Sequence, residues 1–362
     1  MKIFQLIQKP QLRGAEIFAC QLSTELSNRG HECVVITLFQ GESKLPFAGR
    51  IIPLGLSKRT RFVDWRGWKK LADLVKKEEP DILQANAGDT LKYAIISKLI
   101  FRWKTKVVFR NASTVSLYIK NPVVKRWNAL LYSMTAYVIS VSQYTRHDFI
   151  NTFPGVSNRI SVVPIGIEEQ HALASPIDKN NIAVLLHVGG FTFEKNHTGL
   201  IRILEEVIRN RSNVALWLVG DGPLRSETEN LVNAMHLTEH VKFWGYQSNP
   251  RQFFQQASVF LLPSIIEGLP AVILESFCYK IPVVAYQVGG IGELVRNGET
   301  GFLIEKGDEK DFANATLKAL QGGAEISSYV ENAHHLVLKN YTLKKVTDRF
   351  ETIYAMLFRR KE

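Results

Sequence analysis

The segment Ser264-Ile-Ile-Glu-Gly-Leu-Pro-Ala-Val-Ile-Leu-Glu-Ser-Phe277 joins one apolar run, residues 258–262, to a second that starts at Pro270. The first run has the length of a buried strand. The second reads as a helix over 270–278, because a proline in a first turn lacks only an N–H that would have no partner there. Strand, tight turn and helix in that order predict one unit of a parallel α/β sheet. Two carboxylates, Glu267 and Glu275, stand eight positions apart across the turn, with Gly268-Leu269-Pro270 between them.

The same alternation extends in both directions. Downstream come a strand at 282–285, a helix at 310–320 and terminal helices, the last around 343–359. Upstream, strands at 183–188, 213–219 and 241–243 alternate with helices at 198–210, 223–235 and 250–257. A polar, aperiodic stretch at 168–181 reads as a linker. Before it, strands at 2–7, 32–38, 81–84, 106–109, 137–141 and 160–163 alternate with helices at 14–29, 64–77, 90–101, 123–135 and 143–151, the last capped by Ser142. The reading is α/β: two doubly wound, Rossmann-like domains facing a cleft, residues 1–168 and 169–342. The terminal helix, within 343–362, is expected to cross back to the first domain.

Composition narrows the partners. The 362 residues are 46% apolar and 22% charged, as in a soluble globular protein. No apolar run approaches the roughly 20 residues of a membrane span, and the N-terminal MKIFQLIQKP lacks the apolar core of a secretory leader. Cys20, Cys33 and Cys278 are odd in number, far apart and set in apolar segments, which predicts reduced, buried thiols in the cytoplasm. No Cys/His spacing suits a metal, and no Asp-x-Asp motif occurs. Residues 1–165 carry 25 Lys/Arg against 11 Asp/Glu, or +14, while 166–362 carry 20 against 23, or −3. A basic half suits nucleic acid, an anionic membrane or a phosphorylated substrate, or it simply keeps the surface soluble. No nucleic-acid-binding signature accompanies it, so no nucleic-acid partner is expected. Two stretches mixing cations with aromatics, 57–70 and 91–106, are candidates for an anionic membrane face at the inner side of the cell membrane. A helix with one core-facing side explains them nearly as well.

The turn after residue 262 leads into a helix N-terminus, where unpaired N–H groups and a partial positive charge suit a diphosphate. Gly268 lets the backbone approach closely, and Glu275, about one and a half turns into the helix, can accept hydrogen bonds from paired hydroxyls. Further on lie Pro282-Val283-Val284-Ala285, Gly289-Gly290-Ile291-Gly292-Glu293 and Asn297-Gly298-Glu299-Thr300-Gly301-Phe302-Leu303. This run resembles the nucleotide-sugar half of the retaining glycosyltransferases of family 4, with the GT-B fold, in which two acids form an E-x7-E signature. The resemblance implies that Glu267 contacts the donor sugar and Glu275 the ribose, with the diphosphate at the turn of Gly268, Leu269 and Pro270. It is specific from Gly189 to Leu303 and looser before Ser142.

Upstream, Gly189-Gly190-Phe191-Thr192-Phe193-Glu194-Lys195-Asn196-His197 matches the family's first strand-to-helix loop in that half, so Lys195 is expected to neutralise the diphosphate. Family members commonly carry arginine where this chain has Gly190. Arg13 and Arg110, from the other half, are the candidate substitutes. Gly245, in Phe243-Trp244-Gly245-Tyr246, is placed near the base. In the first half, Arg13-Gly14-Ala15-Glu16 matches a glycine-rich loop, which makes Gly14 a donor-side residue. A family histidine is replaced by the text Phe109-Arg110-Asn111, so Arg110 and Asn111 take its candidate catalytic place beside Glu267 and Lys195. Asn86 and Asp89 join Arg13 as acceptor-side candidates, with loop and capping roles equally open. The resemblance implies transfer of a sugar from a UDP- or GDP-sugar, without metal or cofactor, to a saccharide or lipid-linked saccharide in surface-polysaccharide synthesis. A non-catalytic sugar-nucleotide-binding subunit and a nucleotide-sugar 2-epimerase of the same fold are the alternatives.

Overall fold

A computed structural model describes residues 1–57, 63–168 and 182–359. The linker expected at 168–181 lies outside the described residues apart from Glu168, and so do residues 58–62 of the basic stretch 57–70. The chain forms two compact units, Met1–Gly166 with Leu343–Glu362, and Ile167–Thr342. The first boundary falls two residues earlier than the sequence reading put it. Ile167 pairs in parallel with Thr342, and its N–H donates to the Tyr341 carbonyl at 2.9 Å, so this residue belongs with the second unit.

The first unit is built on seven strands: β1 (Lys2–Ile7), β2 (Glu32–Phe39), β3 (Arg50–Leu56), β4 (Ile82–Ala85), β5 (Lys106–Asn111), β6 (Tyr137–Ser140) and β7 (Ile160–Val162). All pair in parallel, in the order β3-β2-β1-β4-β5-β6-β7. Parallel sheets are covered on both faces. One face packs on helices Trp65–Glu78, Gly88–Phe101, Pro122–Ser133 and Gln143–Thr152 through Leu71, Tyr93, Leu131 and Phe149. Phe18 of helix Gly14–Asn28 meets Phe350 of the terminal helix Leu343–Arg359, ring centroids 5.8 Å apart.

Strand β3 is absent from the sequence reading. It is an edge strand carrying Pro53 and Gly55, residues that weaken the strand pattern. Strand β5 runs two residues further than expected. Arg110 pairs with Ile139 and Asn111 with Ser140, so both lie inside the ladder and are buried.

The second unit has six parallel strands: β8 (Ala183–Val188), β9 (Val214–Val219), β10 (Val241–Gly245), β11 (Val259–Leu262), β12 (Val283–Tyr286) and β13 (Phe302–Ile304), in the order β10-β9-β8-β11-β12-β13. Each unit is therefore a doubly wound, Rossmann-like α/β domain. The strand order reverses between β1 and β4 in the first, and between β8 and β11 in the second. Ligands of such sheets sit at the carboxyl ends of the strands flanking that reversal.

Candidate active site

In the second unit, the two loops that leave β8 and β11 carry most of the expected residues. The β8 loop passes Gly189 and Gly190, makes a short 3-10 turn over Phe193–Lys195, and reaches Asn196 in the left-handed conformation. Asn196 caps helix His197–Asn210 by accepting from the Gly199 N–H. Its amide also donates to the Pro263 carbonyl at 3.1 Å. The Ile265 N–H donates to the Glu194 carbonyl at 2.8 Å. These two bonds fasten the loops to each other.

Across them the Lys195 ammonium donates to Glu267 Oε1 at 2.6 Å. The two side chains keep only 21% and 11% of their surface exposed. Both residues were expected in the site; their direct pairing was not. They stand 72 positions apart, and no local pattern announces the contact.

Gly268, Leu269 and Pro270 complete the β11 loop. Pro270 stands at the N-cap of helix Ala271–Cys278, in extended backbone, rather than in the first turn as the sequence suggested. A proline has no side-chain acceptor, so the first-turn N–H groups have no side-chain cap. Glu275 lies on this helix, partly exposed. Burial pushes its carboxyl up to about 7, and the Arg251 guanidinium offsets part of that rise.

Close backbone approach holds the neighbouring strand ends in place. Gly289, after β12, has φ of +56°, and a Cβ there would lie 1.9 Å from the Glu267 carbonyl oxygen. The Gly290 N–H donates to the Gly268 carbonyl at 2.9 Å. On the other side, a Cβ on Gly220 would lie 2.0 Å from the Gly189 carbonyl oxygen. The Gly220 N–H donates to the Gly245 carbonyl, which ties Gly245 into the loop cluster two strands away. By contrast, a Cβ on Gly190 would meet nothing closer than the Asp221 carbonyl at 3.4 Å, so that position accepts a side chain.

Beneath the β8 loop lie two histidines that the sequence reading did not use as site residues. His187, at the end of β8, shares a hydrogen bond of 2.8 Å with the Leu261 carbonyl through Nδ1, which must carry the proton. Its ring sits edge-on to His197, centroids 4.9 Å apart, and His197 stacks on Phe191 at 3.9 Å. Burial holds His187 down at about 4 and depresses His197 further, so both stay neutral near pH 7. They form an uncharged floor under Lys195.

The remaining expected residues belong to the first unit. Arg13 and Gly14 are exposed where helix Gly14–Asn28 begins. Asn86 is buried and donates to Gln5 Oε1 at 2.9 Å. Asp89, in the first turn of helix Gly88–Phe101, accepts from Gln8 Nε2 at 3.2 Å. Arg110 is fully buried, its guanidinium 4.2 Å from the Phe18 ring centroid, and Nε and Nη1 have no hydrogen-bond partner. Desolvation lowers it to about 10, so it remains charged near neutrality. Asn111 donates to Ser140 Oγ at 3.5 Å, a weak contact. Among the described residues, no cluster of three or more His, Cys, Asp or Glu side chains is arranged to hold a metal ion, and no helix is long and apolar enough to cross a membrane.

Two family models match this chain: "Glycosyltransferase Family 4" over residues 12–171 and "Glycosyl transferases group 1" over residues 170–336. The chain belongs to the family 4 glycosyltransferases of the GT-B fold. It is 23% identical to N-acetyl-alpha-D-glucosaminyl L-malate synthase of Bacillus anthracis, covering 97% of this chain and 96% of that one. It is 28% identical to the lipopolysaccharide core biosynthesis glycosyltransferase LpsE of Rhizobium meliloti, over 57% of each chain. Among solved structures, Anabaena HepE in complex with UDP-glucose superposes with a TM-score of 0.85 at 22% identity, covering 98% of this chain and 100% of that one. That likeness concerns the fold.

Proposed function

We propose that this glycosyltransferase moves a sugar, with retention of anomeric configuration, from a nucleotide-diphosphate sugar to a saccharide or lipid-linked saccharide in cell-surface polysaccharide synthesis. The observation that carries the reading is the Lys195–Glu267 pair at the strand-order reversal, beside a helix N-terminus with no side-chain cap. A cation and uncapped amides suit a diphosphate. The adjacent carboxylate suits sugar hydroxyls, and Glu275 suits the ribose. A UDP-sugar is the first donor to test, because the HepE structure holds UDP-glucose. Relatives named for lipopolysaccharide core and capsular polysaccharide biosynthesis support the acceptor class.

In this reading the donor C1–O bond breaks as the nucleoside diphosphate leaves. Lys195 and the amides at the turn offset the charge that develops on the leaving oxygen. The acceptor hydroxyl attacks from the same face, and its proton passes to a leaving phosphate oxygen. No carboxylate acts as nucleophile, and no metal is required. Lys195 gives up its contact with Glu267 when the diphosphate arrives, and Glu267 turns to the sugar. Arg13, Asn86 and Asp89 serve the acceptor side.

The test is a thermal-shift screen against UDP-, GDP- and ADP-sugars, with Lys195→Ala and Glu275→Ala alongside. A ligand at about 100 times its Kd adds about 2.7 kcal/mol. A nucleotide-specific rise in Tm that both variants lose supports the site. No rise with any nucleotide sugar overturns it.

A further inference from the structure

We propose that the first unit docks on an anionic lipid bilayer through helix Pro122–Ser133 and the short helix Val115–Tyr118 before it. Neither segment is among the stretches whose composition suggested a membrane face. In the stretch 91–106 Tyr93 and Trp103 are buried, and Phe101 is half-buried with its ring tilted against the exposed Trp65, centroids 5.2 Å apart. Helix Pro122–Ser133 does the reverse. Only Asn128, Leu131 and Tyr132 are buried, and Tyr132 anchors the helix against Phe149 and Phe153, ring centroids 4.7 Å away in each case. Val123, Trp127 and Leu130 stand at i, i+4 and i+7, on one stripe of the helix, and are 74%, 46% and 50% exposed. Leu117 and Tyr118, just upstream, are exposed as well. Isolated exposed apolar residues are ordinary, but with Val124 six of this size fall within fourteen positions and mark an interaction surface.

Charge selects the occupant. From residue 90 to residue 147 the sequence holds ten Lys and Arg and no Asp or Glu. Lys120, Lys125 and Arg126 are exposed beside the apolar stripe. Lys125 and Arg126 also line a groove of about 300 Å³ with Ala129, Phe153 and Gly155. An apolar stripe with an interfacial tryptophan, bordered by cations, matches the boundary between acyl chains and anionic headgroups. A second copy of the chain fits worse. A two-fold contact sets a patch against itself, so these cations would face their own duplicates, with Asp148, which accepts from the Ser116 N–H at 3.2 Å, as the acid beside the patch.

The proposal is independent of donor binding. The experiment is flotation of the full chain with phosphatidylcholine vesicles, with and without phosphatidylglycerol, at low and high salt. Two variants are compared, Val123→Ser/Trp127→Ser/Leu130→Ser and Lys125→Glu/Arg126→Glu, with Tm and light scattering as controls. Wild-type protein is expected to float with the anionic vesicles only, less so at high salt. Each variant should lower partitioning at least about tenfold, keep its Tm within a few degrees and keep its Tm rise with nucleotide sugar. The charge-reversal variant changes only exposed residues, so it keeps the test decisive if the triple variant misfolds. Failure of the wild type to bind anionic vesicles, or equal binding by the charge-reversal variant, overturns the proposal. A dimer that the variants dissolve while vesicle binding stays unchanged overturns it in favour of a second copy.

Discussion

Replacing Glu275 by glutamine is expected to stabilise the unliganded protein at alkaline pH and to abolish its use of donor. Burial raises this carboxyl from its ordinary 4.5 to about 7. Such a group holds its proton more tightly folded than unfolded. Folding stability therefore falls as pH rises from about 4.5 to about 7, and the full cost remains above that window. That rise corresponds to about 3 kcal/mol. The side chain keeps partial contact with solvent, so about 2 kcal/mol is the working figure. Glutamine is neutral and nearly isosteric, so Glu275→Gln should gain about that much at pH 8, or roughly 4–8 °C in Tm. At pH 5 the gain should shrink below about 1 kcal/mol.

Donor reverses the order. Ribose hydroxyls donate to a carboxylate, so binding requires the ionised form. Wild-type affinity for the nucleotide sugar should rise about tenfold between pH 6 and pH 8, while the variant binds weakly at both. Thermal melts with and without ligand across that range read both effects. A variant no more stable than wild type at pH 8, or a wild-type affinity that does not change with pH, would refute the reasoning.

Four other outcomes are expected. Glu267→Gln releases Lys195 from its 2.6 Å partner; calorimetry should show nucleoside diphosphate binding unchanged or a few-fold tighter, while initial-rate assays show turnover at least about 100-fold lower. Gly190→Arg, at a position with room for a side chain, should fold normally and tighten binding of the diphosphate about tenfold, as titration would show. Gly289→Ala, which would place a Cβ 1.9 Å from the Glu267 carbonyl at positive φ, should cost about 2–4 kcal/mol in chemical denaturation and remove donor binding. Arg110→Met exchanges a buried, incompletely bonded cation for an apolar side chain of similar length; denaturation should show stability equal or higher by about 1–2 kcal/mol, and any loss of transfer would then reflect function rather than folding.

The alternation of short apolar runs with longer amphipathic ones was enough to read two parallel α/β domains, because strands buried on both faces leave few other patterns. Strand β3 escaped because an edge strand tolerates Pro53 and Gly55 and buries little. In the stretch 91–106 composition pointed outward, yet Trp103 faces the core, and composition carries no information on direction. The site was legible only in part. The Glu267–Glu275 spacing lies on one local segment, and Lys195 came through the resemblance of its loop. Their contact, and the neutral floor of His187 and His197, depend on how distant strands align. Arg110 shows the same limit: the text places it at the end of a strand, and only the ladder to Ile139 shows that it lies inside the sheet.

The terminal helix Leu343–Arg359 also sets an order of assembly. It completes the first unit: Arg29 pairs with Asp348 and Glu351, His31 with Glu351, and the Tyr354 hydroxyl donates to Gln84 Oε1 at 2.6 Å. These partners lie ahead of the second unit in sequence, yet the helix is synthesised only after the whole of that unit. At about 5–20 residues per second, the ribosome takes roughly 10–35 s to make the intervening stretch. Through that interval Phe18 and Arg110 lack their cover, and the second unit, made of one continuous stretch, can fold first. A nascent chain halted before Leu343 is therefore a natural client for a chaperone.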